Sequence, residues 1–70
     1  MTDTRIQTAI DNARAAIEAM EKARQDIRDV VEELLPDAPV HLTFASVDLG
    51  HCITRATSAI HDLDRAKEAV

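Results

Sequence analysis

Apolar residues recur along the first half of the chain at Ile6, Ile10, Ala13, Ile17, Met20, Arg24, Ile27, Val31 and Leu34, in steps that alternate between four and three. That spacing is a helical seam of heptad type, with Arg24 as its one polar member. A second row of small apolar residues, Ala9, Ala16, Ala23 and Val30, runs beside it at steps of seven. The apolar face is therefore wider than a two-stranded seam needs, which suits packing against more than one neighbour. At the start, Thr4 and Gln7 fit a capping box, with Thr2 and Asp3 as alternative caps. The pattern stops at Leu35-Pro36-Asp37-Ala38-Pro39. Pro36 cannot extend the helix and restricts Leu35, and Pro39 restricts Ala38 in the same way. A helix over about residues 4–35 is expected, roughly 46 Å long.

The second half repeats the pattern at Leu42, Ala45, Leu49, Cys52, Ala56, Ala59, Leu63, Ala66 and Val70, widened by Ile53 and Ile60. A helix over about 42–69 follows, entered through a turn at 36–41, with Thr43 or Ser46 as its cap or an earlier start near Asp37. Gly50 lies inside it and costs about 1 kcal/mol relative to Ala, which asks for either a tight helix crossing or room for a ligand. The expected fold is all-α: one domain over residues 1–70, a two-helix antiparallel hairpin with a Pro-containing break. The Ala-rich second stripe cannot cover the Ile/Val/Met face of the first. Self-association into a helical bundle (four helices in a dimer) or a ring of hairpins is expected. Its core is assigned to Ile10, Ile17, Met20, Ile27, Val31, Leu49, Ile53, Ile60 and Leu63.

Composition sharpens this. Seventy residues with one Gly, two Pro, one Phe and no Tyr or Trp do not read as a β fold. A chain below roughly 70–80 residues draws only about 3–5 kcal/mol from one core, and Cys52 has no partner in the chain for a disulfide. That again points to copies of itself as partners. Eight Lys+Arg against 13 Asp+Glu give a formal net charge of -5, with the basic residues scattered. Duplex DNA and anionic membranes are thus not expected partners, and no apolar run approaches the roughly 18 residues of a membrane span. A lone thiol and an N-terminus without a basic, then apolar, leader suggest a reducing cytoplasm.

Chemistry-bearing residues are few. His41, His51 and His61 are ten apart and share no helical face. Asp48, His51 and Cys52 have ligand chemistry, but Cys52 is expected in the seam, so no metal site and no cofactor is assigned. Neighbouring helical residues diverge by about 100°, so Cys52 and His51 do not form a nucleophile and base. No catalytic residue and no enzyme activity are expected. Arg24 is the most informative position. It either snorkels or pairs with a carboxylate and fixes register, or holds a phosphate or carboxylate as a bidentate fork. His51 and Arg55, four apart, present donors to the same kind of anion. Asp26, Asp29, Glu32, Glu33 and Asp37 form an acidic cluster where the helix dipole does not favour it. That cluster suits solubility or a protein partner with a basic surface.

The stretch from Leu42 to Ile60 resembles the last helix of the phage helical-hairpin sponges that act against CBASS and Thoeris immunity. The shared elements are Ala45, Leu49, the pair Cys52 and Ile53, Ala56, and Ala59-Ile60. The resemblance implies a small non-enzymatic α-helical oligomer that sequesters a cyclic nucleotide or cyclic ADP-ribose signal, hence a viral anti-defence protein with a phosphate-bearing ligand. It departs from the family where the Glu-Glu pair falls on Gly50-His51 and the Trp on Arg55, and no Tyr is present to stack on a base. No binding residue is therefore carried over from the family. The alternatives are an acidic module that inhibits or bridges a protein partner, and a dimeric RNA-binding hairpin.

Overall fold

The computed structural model describes residues 2–69, with side chains from 4 to 69. The chain forms two helices, α1 over Thr2–Leu34 and α2 over Val40–Ala69, packed against each other as an all-α hairpin. Its extents are 53 × 14 × 11 Å, so the molecule is a rod one hairpin thick. The α1 stripe lies where its periodicity puts it: Ile6, Ala13, Ile17, Met20, Arg24, Ile27 and Val31 are half-buried and Ile10 is buried. Leu34 departs from the expected seam and is 45% exposed. It is the last residue of α1, where the chain is already turning and the facing helix has not begun.

α1 ends at Leu34, the last residue of its expected seam, and the connection differs from the sequence reading at the start of α2. Residues 35–39 link the helices, and α2 begins at Val40 rather than 42. Leu35 N–H still donates to the Val31 carbonyl at 3.0 Å, and Asp37 N–H closes a turn onto the Leu34 carbonyl at 2.8 Å. Pro39 sits just ahead of α2, where its missing N–H costs nothing, and its carbonyl accepts from Leu42 N–H at 3.1 Å. Thr43 and Ser46 lie inside the helix and do not cap it. At the other end, the Thr4–Gln7 capping box is not formed, because α1 already starts at Thr2. The Thr4 carbonyl accepts from the Thr8 hydroxyl, and Gln7 donates to Asp11. The alternative caps, Thr2 and Asp3, and the seam position Val70 lie outside the described side chains.

The α2 stripe is a second correction. The half-buried residues are Leu42, Ala45, Leu49, Ile53, Ala56, Ile60 and Leu63, joined by Ser46 and Gly50, while Cys52, Ala59 and Ala66 are exposed. The steps now run three, four, four, three, four, three. The extra step of four rotates the helix so that Ile53 and Ile60 face α1 in place of Cys52 and Ala59. Burial decides it: apolar surface is worth about 25 cal/mol per Å² removed from water, and each Ile offers far more of it than Ala or Cys. The oligomer-core residues assigned from the sequence are buried or half-buried within the single hairpin, so part of their apolar surface is already used by the intramolecular contact.

Two cross-helix contacts define the register. Lys67 Nζ donates to Gln7 Oε1 near the open end, and the Arg24 guanidinium lies over Gly50 near the middle. Seventeen residues separate these contacts on each helix, so the two helices run past each other without a slip. The same register sets Ile10 within one residue of Leu63.

Candidate functional site: the Arg24–Gly50 crossing

Arg24 enters the helix interface because its position belongs to the seam, and a long charged side chain there must find room. Gly50 supplies it. A Cβ at Gly50 would lie 3.4 Å from Arg24 Cζ, 3.5 Å from Nη1 and 3.6 Å from Nη2. Three guanidinium atoms at nearly equal distance mean that the plane lies face-on against the α2 backbone. The stem is shielded as well. Arg24 Nε is buried and has no hydrogen-bond partner. An N–H left in that state costs about 1–3 kcal/mol, which an oxygen acceptor would recover.

Beside this crossing lies an open groove of ≈ 320 Å³ lined by Glu21, Arg24, Gln25, Arg28 and Ile53. Arg28 follows Arg24 by one helical turn on α1. Its Nη1 donates to Gln25 Oε1 at 3.4 Å, and Gln25 Nε2 donates to Asp29 Oδ1 at 2.9 Å. The long Arg28–Gln25 distance leaves that guanidinium loosely held. The groove therefore presents two guanidinium groups and one carboxylate, Glu21, above an isoleucine floor. Its size is near the lower end of small-molecule sites, about 300–1,000 Å³.

The other sequence-predicted donors do not join it. His51 and Arg55 are exposed on α2 and line neither this groove nor the second one near the turn. Gly50 faces α1, and His51 is turned by about 100° from it, away from Ile53, which does line the groove. Arg28 takes the place expected of Arg55. The signal was present in the sequence as an i, i+4 arginine pair, Arg24 and Arg28. Thr54 and Thr57 turn their hydroxyls back onto the Gly50 and Ile53 carbonyls at 3.1 and 2.8 Å, so these donors are engaged within α2.

Cys52 is exposed, which corrects its placement in the α2 seam. A maleimide is expected to label Cys52 in the folded chain at a rate within about tenfold of the urea-unfolded chain, since access and not burial governs it. Mass spectrometry of timed samples reads this directly, and a thiol protected until unfolding would restore Cys52 to a covered face. Among the described residues no group of three or more His, Cys, Asp or Glu converges on a point. No described helix is long and apolar enough to cross a membrane.

No protein-family model, no curated protein and no solved structure matches this chain.

Proposed function

We propose that this chain is a non-enzymatic helical hairpin that associates with copies of itself and sequesters a small phosphate-bearing anion along Arg24 and Arg28. The observation that carries the reading is Arg24: its guanidinium is stacked on Gly50 while its Nε–H lacks an acceptor. A guanidinium held in place and partly stripped of water is prepared for a bidentate oxyanion. Arg28 adds a second fork one turn away. The mechanism is tight binding without turnover.

Self-association is supported by how little the single hairpin covers. Among the described residues only Ile10 is buried, at 1% exposure. The accessible surface is 5374 Å², against about 4,300 Å² expected for a compact monomer of this mass. The radius of gyration is 16.1 Å, against about 11 Å for a compact domain of this length. The excess surface, roughly 1,000 Å², is the area one partner gives to an ordinary stable interface, about 800 Å². Two hairpins side by side would make a four-helix bundle. The cyclic-nucleotide class of ligand and the anti-defence setting rest on the resemblance of α2 to the phage sponges.

Calorimetric titration of the chain with pyrophosphate and with a cyclic dinucleotide tests the anion site. Arg24→Met is expected to weaken binding by more than tenfold. It is also expected to stabilise the fold by about 1 kcal/mol, by removing an unpaired N–H. Equal affinity in the variant, with a changed number of copies per particle, would make Arg24 a register device instead.

A further inference from the structure

We propose that the hairpin meets a second copy of itself through one face, the face opposite the Arg24–Arg28 groove. The inference rests on the self-association reading and says where the interface lies. Two grooves show which residues share a face. Arg28 of α1 and Thr43 of α2 line the same cleft, and Glu21 and Arg28 line the groove beside Ile53. They belong to two rows at steps of seven: Gln7, Arg14, Glu21 and Arg28 on α1, and Thr43, Gly50, Thr57 and Asp64 on α2. That face is polar. Two residues further on in every case, about 200° around each helix, stand two other rows. They are Ala9, Ala16, Ala23 and Val30 on α1, and Ala45, Cys52, Ala59 and Ala66 on α2. Both therefore flank the α1·α2 contact on the opposite face. Ala23 and Ala45 are half-buried and the other six are exposed, and none lines either groove. The register joins the two rows into one surface. Gln7 meets Lys67 and Arg24 meets Gly50, so Ala16 stands within one residue of the level of Ala59, and the other three pairs follow at steps of seven. The face is thus four layers of small apolar residues, two helices wide and about 30 Å long, with no charged member in either row.

Area, shape and charge select a second copy as the occupant. The roughly 1,000 Å² by which the surface exceeds that of a compact monomer is close to the about 800 Å² that one partner gives to a stable interface. Small side chains at every layer let facing helices approach to the short end of the usual range of about 8–10 Å. Rows of equal step also match themselves about a two-fold axis, where one patch serves both copies. Charge sets the direction. Residues 24–48 hold Arg24 and Arg28 against six carboxylates, Asp26, Asp29, Glu32, Glu33, Asp37 and Asp48, and so carry -4 of the net -5. Copies running the same way would set two acidic turn ends together. Antiparallel copies separate those ends along the 53 Å rod and still superpose all four layers, with Ala16 against Ala23 across the axis. The Arg24–Arg28 groove stays open on the outer surface, so assembly and anion capture do not compete.

The test is sedimentation velocity of the chain across a concentration series. Ala16→Glu and Ala59→Glu are each expected to weaken self-association by about a hundredfold or more, because each copy would bury an unpaired carboxylate. Thr57→Glu adds the same charge to the polar face and is expected to change it by less than about threefold. Glu is a good helix former, and circular dichroism checks that helicity is kept. Cys52 supplies a readout without any substitution. The rapid maleimide labelling expected of Cys52 belongs to the separate hairpin, and at concentrations where copies assemble it is expected to slow by about tenfold or more as the thiol is covered. Assemblies that persist in both Ala16→Glu and Ala59→Glu, or labelling of Cys52 independent of concentration in an assembling chain, would overturn this interface and leave self-association standing. A single chain at every concentration would overturn both.

Discussion

Ile10→Ala is expected to leave the hairpin largely unfolded at 25 °C. Ile10 is 1% exposed, and the register sets it within one residue of Leu63 near the open end. Truncating a buried Ile to Ala costs about 2–5 kcal/mol, through lost transfer energy and the cavity left behind. One core of this size supplies only about 3–5 kcal/mol, so the substitution removes most of what the single hairpin draws from it. A urea titration followed by far-ultraviolet circular dichroism reads the effect, with Ala16→Ser on the exposed side of α1 as a control of small cost. A midpoint for Ile10→Ala close to that of the unsubstituted chain would show that the hairpin draws its stability from elsewhere.

Gly50→Ala is expected to raise the melting temperature by about 4–8 °C, the shift that about 1 kcal/mol makes in a domain of this size. Gly inside a helix costs about that much relative to Ala, and no glycine here has a positive φ that would justify the cost. The added Cβ would meet Arg24 Cζ at 3.4 Å, the end of a flexible side chain that can move by a few tenths of an ångström. Gly50→Leu is different in kind. Its side chain would occupy the place of the guanidinium and should lower anion affinity as Arg24→Met does. A fall in melting temperature for Gly50→Ala would mean that something approaches Gly50 more closely than Arg24 does, and a second copy would be the natural candidate.

Much of the fold is legible because the α1 pattern has little competition: its large apolar residues, Val30 apart, fall on one stripe. In α2 two stripes overlap, one through Cys52, Ala59 and Ala66 and one through Ile53 and Ile60. Strict alternation of steps favours the first and burial favours the second. Spacing alone does not weigh side-chain size, so the rotation after Leu49 was hidden. Arg24 and Gly50 each stand out in the sequence as exceptions to their stripe. Their meeting depends on register, which depends on how residues 35–39 turn, and no periodicity encodes that. The exposure of Leu34 was hidden for a related reason. Leu34 continues a seam in sequence, yet α1 ends there and α2 starts only at Val40, so the facing surface runs out.

Native mass spectrometry of the freshly purified chain beside Arg24→Met tests the account most directly, because it reads copy number and retained ligand together. The account predicts particles of more than one chain, with added mass matching a phosphate-bearing molecule that the Arg24→Met assembly lacks. A single chain without bound mass would contradict it.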